Sequence, residues 1–573
     1  MITPMTRYSF ILLHGDKDAF LAELQQLGVV DITRSAKPVD SYSQSLLDNI
    51  ETLRHDIECT RKGSDETLEG LTLERDALLK ELQDIGPWGE YDRQRLAPFG
   101  PHYYSVATKK FDPAWAEQYA LQVVDERDGT TWFVLLGDPA GFPLKELPAP
   151  KHTPSELEPK LQELEEKITR HRGILEKRKA DIPKMERHIR HIQTDLDRYL
   201  AGMTAVPAAE DTLDTLVGFV PSECDEAVTA ALEQAAVIYI KDEATVEQNP
   251  PIELKNNKFV RMFEVLTDMY GRPAYDGFDP TPFIAVFFLL FFAMCMGDAG
   301  YGLVLILVGL LLKKVDSFRD MAPLVTTLGV ATVVVGFFMH TFFSIDIAQW
   351  KCFEGIRWMF LPDEIAGYAG GMVLSLIVGV IHLCLAMVVK AINAVRLRGF
   401  AASLGTLGWT LLIVGGVVVG AVALTGVLSS EVTKWIIIVL GVVSALGIFV
   451  FNDPKRNKLA NVGMGLWDTY NTVTGLLGDV LSYLRLYALG LAGAMLGMAF
   501  NDMGKMVLGD GSNALLWIPF ILLVLIGHTL NIAMCALGAF VHPLRLNFLE
   551  FFKNSGYEGS GRKFNPLVNT NNK

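Results

Sequence analysis

The chain has 573 residues, half of them hydrophobic, and a positive mean hydropathy of +0.27. Its net charge of −14 is unevenly spread, because residues 281 to 573 hold 19 Lys+Arg and 15 Asp+Glu, which leaves 32 and 50 for residues 1 to 280. These figures exclude a single small domain and a uniformly soluble protein, and they predict an acidic soluble half joined to a membrane half.

The first seven residues lack the basic region and long apolar core of a signal peptide, so the soluble half is expected to stay on the side where it is made. The six cysteines show no Cys-x-x-Cys spacing, which predicts neither a disulfide framework nor a zinc site. No Gly-x-x-x-x-Gly-Lys-Ser/Thr loop, His-Glu-x-x-His or Gly-x-Ser-x-Gly motif occurs. The sequence therefore predicts no catalytic site, metal, cofactor or nucleic-acid partner for this chain; if ATP is used, another chain binds it.

Two segments of the soluble half, residues 7–33 and 214–241, each show the pattern strand, helix, strand. We expect them to pair and to form a proximal α/β lobe from residues 1–40 and 205–245. Between them, residues 87–150 predict a second, distal α/β lobe with a mixture of strands and a short helix.

Apolar residues over 161–199 follow alternating spacings of three and four, with His171 and Arg178 as polar interruptions. This pattern is typical of one strand of a coiled coil. An earlier apolar run supplies the expected antiparallel partner, so the predicted coiled coil pairs residues 42–86 with residues 153–200. Such a rod is about 60 Å long and suits bracing rather than chemistry. A linker over residues 246–280 completes the predicted cytoplasmic α+β domain.

The membrane half contains eight apolar runs that are long enough, or nearly so, to cross about 30 Å of hydrocarbon. The first two are joined only by Gly297-Asp298-Ala299-Gly300, which predicts a tight hairpin. The last two reach about 39 residues, or about 58 Å if wholly helical, so we expect a long, tilted pair. The fold class predicted for residues 281–573 is thus an α-helical multi-pass bundle, with runs at 281–297, 299–313, 321–340, 366–389, 401–427, 433–451, 462–500 and 514–552.

Basic residues orient these runs, because Lys and Arg concentrate in cytoplasmic loops. The loops after the second, fourth, sixth and eighth runs are basic, whereas the intervening loops have no basic excess. We therefore predict that the amino and carboxyl termini are both cytoplasmic. The basic residues are Lys313, Lys314, Arg319, Lys390, Arg396, Arg398, Lys455, Arg456, Lys458, Lys553, Arg562 and Lys563.

Arg485 lies in an otherwise apolar stretch, residues 475–500, in which Asp479 is its charged neighbour. A guanidinium costs about 2.5 to 3.5 kcal/mol at the centre of a membrane helix and stays protonated, so we interpret Arg485 as functional. Arg545 is a second arginine of this kind in the next apolar run. The alternative interpretation of both is a structural arginine that pairs with an acid or a carbonyl group.

The last apolar run carries polar or small residues at offsets 0, 3, 7, 10, 14 and 17, so they lie on one helical face. This polar ladder is about 25 Å long, and Pro543 within it predicts a kink. For the first two members, ordinary hydrogen bonds to neighbouring helices are an equal alternative. The ladder consists of His528, Asn531, Cys535, Gly538, His542 and Arg545.

The preceding run presents a face of small residues, Gly490, Gly493 and Gly497, at the same alternating spacing. Small residues allow another helix to approach closely. Two interpretations stay open for these glycines: ordinary packing within the bundle, or a face along which helices of a partner slide.

Six motifs along the chain resemble those of one known family. They are Pro251-Ile-Glu-Leu-Lys-Asn-Asn-Lys-Phe-Val-Arg, Met269-Tyr-Gly, Asp279-Pro-Thr-Pro, Gly297-Asp-Ala-Gly-Tyr-Gly, Ser482-Tyr-Leu-Arg-Leu-Tyr-Ala-Leu and His542-Pro-Leu-Arg-Leu-Asn-Phe-Leu-Glu, the last three being the specific ones. The chain is similar, over its whole length, to the membrane stator of V-type and A-type rotary ATPases, which is known as the a subunit or subunit I. Its length resembles that of the prokaryotic forms.

The resemblance implies a non-catalytic subunit that forms ion half-channels against a rotating, lipid-embedded c/K ring. Arg485 would meet each ring carboxylate in turn, lower its pKa and so drive ion release, and would block a direct leak between the half-channels. The glycine face would then lie against the ring. The further ion-translocation residues that the resemblance implies are Asp479, Ser482, His528, Asn531, His542, Arg545 and Glu550.

The partners implied are the c/K ring, the E/G (or E/H) peripheral stalks, the C/d socket of the central stalk, the membrane lipid and, indirectly, the A/B catalytic head. The implied location is a prokaryotic cell membrane. Two positions depart from the eukaryotic pattern, since Gly493 stands where those relatives commonly hold His and Cys535 where they hold Glu. The half-channel groups, the choice between H⁺ and Na⁺, and the direction of ATP turnover therefore stay open.

Two other classes of function compete with this one. A secondary transporter with a cytoplasmic regulatory domain would use buried arginines to bind anions, but it predicts internal repeats in the membrane half, and none is visible. A membrane-anchored scaffold without transport leaves Arg485 and the polar ladder unexplained.

Overall fold

The computed structural model describes residues 1–34, 40–137, 139, 142–210, 212–235, 237–315, 318–426, 429–451, 458–509 and 513–569. Lys455 and Arg456, whose charges contribute to the predicted orientation, lie outside these residues. Contacts divide the chain into two compact units. The membrane unit comprises residues 1–11, 29–31 and 217–566, and the coiled-coil unit comprises residues 12–28, 32–216 and 567–573.

The first 280 residues contain both strands and helices. The strands are β1 (Met5–Leu13), β2 (Asp31–Ile32), β3 (Pro101–Ala107), β4 (Leu121–Arg127), β5 (Thr130–Leu136), β6 (Val206–Ala208), β7 (Leu213–Pro221) and β8 (Ile238–Glu243). The helices are α1 (Lys17–Leu27), α2 (Ser41–Lys62), α3 (Glu66–Ile85), α4 (Arg93–Leu96), α5 (Trp115–Gln118), α6 (Pro154–Arg178), α7 (Ile182–Gly202), α8 (Asp225–Gln234), α9 (Lys258–Arg261) and α10 (Glu264–Tyr270).

Two helix pairs form the long part of the coiled-coil unit, with α2 packed against α7 and α3 against α6. This order is the one expected of an antiparallel arrangement. Both sides are interrupted: one at Gly63, which has a left-handed φ of 68°, and the other at the 3-10 turn Lys179–Asp181, ahead of Pro183. The apolar spacing runs on through this second break, so it predicts one helix where the structure has two.

His171, one polar interruption in this spacing, pairs across the helices with Asp65, and its Nε2 lies 2.8 Å from the carboxylate. Asp65 also caps α3 by accepting the Leu68 N–H at 2.8 Å. Burial opposes ionisation of Asp65, but His171 and the Leu68 N–H outweigh it and hold the pKa of the carboxyl below its usual value. The pair therefore ties α3 to α6.

The segment predicted as a distal lobe contains an antiparallel sheet with strand order β3-β5-β4. Asp128 and Gly129 adopt positive φ values of 49° and 71° at the turn between β4 and β5. Tyr104, Phe133 and Leu135 form the buried core on one face.

The soluble part of the membrane unit is built on a sheet with strand order β2-β7-β1-β8, in which β1 and β8 are antiparallel. Residues 561–564 run beside the linker: the Ile252 N–H donates to the Arg562 carbonyl at 2.6 Å and the Gly561 N–H to the Arg272 carbonyl at 2.9 Å. Asp268 binds Arg272 at 2.7 Å and Lys563 at 2.8 Å. Burial opposes ionisation of Asp268, but these two cations hold its pKa below the usual value.

The rest of the membrane unit is helical. Its helices are α11 (Thr281–Met296), α12 (Ala299–Leu312), α13 (Ala322–Phe338), α14 (Gly370–Arg398), α15 (Leu404–Leu424), α16 (Ser430–Ala445), α17 (Lys458–Leu508), α18 (Trp517–Arg545) and α19 (Phe552–Ser555), with π-helical turns at Leu446–Val450 and Leu546–Phe551. Five helical segments among the described residues, those of α14 to α18, are long and apolar enough to cross a membrane. The three shorter ones, α11 to α13, stay predicted spans.

The predicted hairpin between the first two runs is present. Gly297 ends α11 with a left-handed φ of 56°, and Asp298 caps α12. Helices α12 and α13 then pack through glycines, because a Cβ at Gly302 would lie 2.6 Å from the Val333 backbone nitrogen and one at Gly336 only 2.2 Å from that of Ala299. Helix backbones approach this closely only where side chains are absent.

The core of the bundle is aromatic where α11, α14, α17 and the end of α18 meet. Phe288, Phe291, Tyr483 and Phe551 are fully buried there. His382 of α14 is also fully buried, and its Nδ1 lies 2.9 Å from the Tyr483 hydroxyl. This hydrogen bond fixes the rotation of α17 two residues before Arg485.

The segment between α13 and α14 folds into two short hairpins. Strands β9 (Thr341–Phe342) and β10 (Ile345–Asp346) form one, and β11 (Glu364–Ile365) and β12 (Tyr368–Ala369) form the other. A 3-10 helix, Lys351–Met359, lies between them. We call residues 339–369 the outer segment, after the side predicted from the basic loops.

Candidate functional site

Arg485 lies on an exposed apolar stripe of α17. Leu481, Ala488, Ala492 and Met495 share this face at spacings of three and four residues and are exposed, Leu481 by 55%. The arginine itself is half-buried, and its Nη1 is buried without a hydrogen-bond partner among the residues that the structure describes. A guanidinium nitrogen left in this state favours a partner from outside the chain.

Arg545 is placed in the same way on the neighbouring helix α18. It is exposed, and so are Met534, Leu537, Val541 and Leu549 on the same face, Leu537 by 67%. Because α17 and α18 pack against each other, the two arginine-bearing stripes belong to one pair of helices. The structural interpretation of these arginines is not favoured, since the described part of the chain supplies neither with an ion pair.

Glu550 is the carboxylate nearest to Arg545 in sequence, and it is 3% exposed. It belongs to the π-helical turn Leu546–Phe551, and its Oε2 is buried with no hydrogen bond to any described residue. Ser482, Asp479 and Arg545 are the groups that interact with it. The Ser482 hydroxyl itself donates to the Gly478 carbonyl at 3.1 Å.

His542 is the next group of the site, and both arginines act on it. It is half-buried, interacts electrostatically with Arg485 and Arg545, and its Nδ1 is a buried atom that lacks a hydrogen-bond partner within the described ranges. Pro543 follows it inside α18, which continues to Arg545 before the π-helical turn begins. Predicted members of the site from two helices, Ser482 and Arg485 of α17 with His542 and Arg545 of α18, are therefore brought together with Glu550.

Asp479 lies six residues before Arg485 on α17, and its side chain lines a polar cavity. Its carboxylate accepts the Asn554 side-chain N–H at 2.8 Å and lies 3.3 Å from Lys553 Nζ. The cavity has a volume of about 390 Å³, and α17 lines it from Asp468 to Asp479, opposite Lys390 and Thr406. We call it the inner cavity, because Lys390 and Lys553 belong to the predicted cytoplasmic side.

The first two members of the polar ladder are buried in a hydrogen-bond network rather than facing outward. His528 Nδ1 lies 2.8 Å from the Tyr301 hydroxyl, which accepts a 2.7 Å hydrogen bond from Asn531. His528 Nε2 lies 3.0 Å from the Asn501 side-chain oxygen, and Cys535 donates to Asn531 at 3.4 Å. The ladder therefore divides into this network and the separate group at His542 and Arg545.

The three glycines of α17 are in contact with the chain's own helices. A Cβ at Gly490 would lie 3.0 Å from the Met294 carbonyl, one at Gly493 2.5 Å from Cys535 Sγ, and one at Gly497 against Ser344. Gly493 and Gly497 are also buried. These contacts favour the interpretation as packing within the bundle over the interpretation as a face for a partner; the exposed stripe that includes Arg485 occupies that place instead.

A second cavity lies on the other side of Arg485 along α17. It has a volume of about 220 Å³, and α17 lines it with Tyr487, Gly490, Leu491 and Ala494. Its other walls come from the end of α11, the start of α14 and the outer segment, including His340 and Asp363. We call it the outer cavity. Along α17, Arg485 therefore separates the residues that line the inner cavity from those that line the outer one.

Comparison with known proteins finds relatives that share most of the chain. A-type ATP synthase subunit I of Methanocaldococcus jannaschii is 31% identical over 449 residues, which cover 72% of this chain and 64% of the relative. The same protein of Pyrococcus horikoshii is 31% identical, covering 75% and 65%, and V-type ATP synthase subunit I 1 of Treponema pallidum is 27% identical, covering 85% and 82%. The chain thus spans just under two thirds of the length of these two archaeal relatives.

The V-type ATPase 116kDa subunit family matches residues 147–322 and 468–568. The chain belongs to this family. The second matched range contains Asp479, Arg485, Arg545 and Glu550, and it lines the inner and outer cavities.

In this member of the 116kDa subunit family, three residues that sequence reasoning did not assign complete the site. Tyr301 links His528 to Asn531, although its motif, Gly297 to Gly302, was singled out only for its resemblance. Asp298 accepts four backbone N–H groups and so holds the outer segment to α12. His340 lies in a segment without periodicity, so no pattern could have indicated it.

Proposed function

We propose that the chain is the non-catalytic membrane stator of a V/A-type rotary ATPase, and that it couples ATP hydrolysis or synthesis to the translocation of H⁺ or Na⁺. The family, and relatives named as subunit I of A-type and V-type ATP synthases, support the rotary assembly. The observation that carries the translocating role is the position of Arg485, on an exposed apolar stripe and between two cavities.

The stripe is the surface that meets the ring. A half-buried guanidinium on an exposed apolar stripe is costly in lipid, and a carboxylate on a partner helix removes that cost by pairing with it. Each carboxylate of the c/K ring then meets Arg485 in turn. The positive charge lowers the pKa of that carboxylate and releases its ion, and because an arginine does not lose its proton, it passes no proton between the cavities.

The two cavities act as half-channels of this cycle. The inner one leads from Lys553 and Asn554 past Asp479 toward Ser482 and Glu550, whose buried unpartnered oxygen is suited to water or an ion in transit. Arg545, with His542 beside it, holds this end of the pathway positive. Along α17, the residues that line the outer one run from Tyr487, about 3 Å along the helix axis from Arg485, to Ala494, about 13.5 Å from it.

The remaining assignments follow from this role. The coiled-coil unit binds the peripheral stalks, E/G or E/H, and resists the torque of the ring, while the C/d socket and the A/B head complete the assembly. Both termini lie in the cytoplasm of a prokaryotic cell, with the outer segment on the opposite side of the membrane. No ATP site is assigned to this chain.

The test is ATP-driven ion uptake in vesicles that carry the assembled complex. We expect Arg485→Ala to assemble but to lose both uptake and coupled ATP hydrolysis, whereas Arg319→Ala, an exposed arginine between α12 and α13, should match the wild type. Uptake by Arg485→Ala at the wild-type rate would contradict the proposal and return attention to a secondary transporter or a scaffold.

A further inference from the structure

We infer that His340 is the proton-exchanging residue at the mouth of the outer cavity, a role that rests on the proposed function and narrows the translocated ion to H⁺. His340 follows α13 directly and has a positive φ of 49°, which turns its side chain out of the helix direction. Its ring lines the outer cavity together with Asp363. The side chain is 21% exposed, so it is accessible to water without being free in it.

Two carboxylates face the two ring nitrogens. Asp346 of β10 lies 3.0 Å from Nδ1, and Asp363, just before β11, lies 3.3 Å from Nε2. A neutral imidazole has one N–H and can donate to one of them, whereas the imidazolium donates to both. In the structure Nδ1 is hydrogen-bonded to Asp346, whereas Nε2 makes an ion-pair contact with Asp363, so gain or loss of the second ring proton acts on the Asp363 contact.

Two acidic side chains surround His340. Asp346 is ionised at neutral pH: burial opposes this, but the Ala348 N–H, Gln349 and His340 outweigh it and hold its pKa below the usual value. Asp363 is 89% exposed and keeps its ordinary solvation. From the packed elements, the Phe360 ring is the other neighbour, with its centroid 6.0 Å from that of His340. Asp346 and Asp363 are the charged groups within ion-pair distance among residues that the structure describes.

The contact between His340 and Asp363 connects the histidine to the backbone that forms the wall of the outer cavity. The Asp363 carbonyl accepts the Gly370 N–H at 2.8 Å, and the Leu361 N–H donates to the Phe338 carbonyl at 2.8 Å. Leu361, Asp363 and Gly370 all line the cavity. The protonated ring thus holds the Asp363 side of the mouth against the end of α13. A proton that enters or leaves by this cavity passes His340 between bulk water and the stretch of α17 next to Arg485.

The test uses the whole complex in vesicles with ATP outside, so that the outer cavity opens to the lumen. The initial rate of acidification is measured against luminal pH for His340→Gln and Asp363→Asn. Because each variant breaks the contact between His340 and Asp363, we expect each to shift the half-maximal luminal pH. His188→Gln, an exposed histidine of α7, is the control and should not shift it.

The outcomes separate the inference from the proposed function. If Arg485→Ala abolishes pumping but neither His340→Gln nor Asp363→Asn differs from His188→Gln, the inference is overturned and the proposed function stands. Uptake of Na⁺ rather than H⁺ by the wild type would have the same meaning. If Arg485→Ala still pumps, both fail. Since Asp363 is a surface side chain, its variant keeps the test decisive even if His340→Gln does not assemble.

Discussion

Asp298 offers the sharpest quantitative test of the membrane unit, because one buried carboxylate serves four backbone donors. Its Oδ1 accepts the N–H groups of Gly300 (2.8 Å), Tyr301 (3.2 Å) and Phe343 (2.9 Å), and its Oδ2 accepts that of Ser344 (2.6 Å). The side chain thereby caps α12 and holds the first hairpin of the outer segment in place.

The two obvious substitutions remove different numbers of these bonds. Asp298→Asn can keep an oxygen where three donors converge, but it turns an amide N–H₂ toward Ser344, so it loses one charge-assisted bond, worth about 1.5 to 3 kcal/mol. Asp298→Ala leaves all four donors without this acceptor. A buried donor that is left unsatisfied costs about 1 to 3 kcal/mol, so four of them at the lower end of this range give a loss of about 4 kcal/mol. Stability should therefore fall in the order Asp, Asn, Ala.

The free energy of unfolding can be followed by tryptophan fluorescence during denaturant titration in detergent micelles. Asp320→Asn, in the exposed loop between α12 and α13, is the matched control and should stay within about 0.5 kcal/mol of the wild type. If Asp298→Asn unfolds together with this control, or if the Asn and Ala variants cannot be told apart, the four hydrogen bonds do not carry the stability assigned to them.

Three further changes test other parts of the chain. Gly336→Ala places a Cβ 2.2 Å from a backbone nitrogen, so α12 and α13 must separate by about 1 Å, and we expect a loss of about 1 to 3 kcal/mol in the same unfolding assay. Asp65→Asn keeps a capping oxygen but removes the negative charge at the start of α3 and beside His171, so stability at neutral pH should fall by about 1 kcal/mol. Since the folded pKa of Asp65 is depressed, the difference from wild type should shrink as pH falls below about 4 and vanish below the folded pKa. Asp268→Asn should speed amide exchange over residues 561–564, because it releases their ionic anchor.

Each of these has its own control. A Cβ at Gly441 meets nothing within 4 Å among the described residues, so Gly441→Ala should be neutral or slightly stabilising. If Gly336→Ala is no less stable than Gly441→Ala, the close packing of α12 and α13 does not contribute to stability. Asp76→Asn, an exposed coiled-coil residue, should lack the pH dependence of Asp65→Asn. If amide exchange over residues 561–564 is unchanged in Asp268→Asn, the backbone hydrogen bonds alone hold this segment.

Periodicity in the sequence predicted the elements of the chain better than their interruptions. Alternating spacings located the coiled-coil helices, since such patterns follow directly from 3.6 residues per turn. The length of the apolar runs located the two long helices that carry Arg485 and Arg545. The break at Lys179–Asp181 was missed because apolar residues continue through it. The π-helical turn that buries Glu550 was missed as well, because a single inserted residue leaves little trace in composition.

The functional site was only partly predictable, for a different reason. The cost of an arginine in lipid indicates Arg485 and Arg545 from sequence alone. The cavities on either side of Arg485 depend on α11, α14 and the outer segment, which are distant in the chain, and no local pattern encodes them. For the glycines near Arg485, the spacing indicated small residues on one face of the helix. Which part of the structure packs against that face depends on the tertiary fold, and the sequence pattern did not predict it.

The shortness of α12 and α13 has a consequence for the surrounding lipid. Fourteen and seventeen residues give about 21 and 26 Å, against about 30 Å of hydrocarbon, and the glycine contacts prevent the two helices from sliding apart to lengthen the pair. Hydrophobic mismatch of this size thins the adjacent bilayer. For these two predicted spans we expect thinning on both faces of the bilayer, including the face where the outer segment follows α13. We therefore expect the turnover rate to depend on the acyl-chain length of the lipid, because thicker bilayers resist this deformation more strongly.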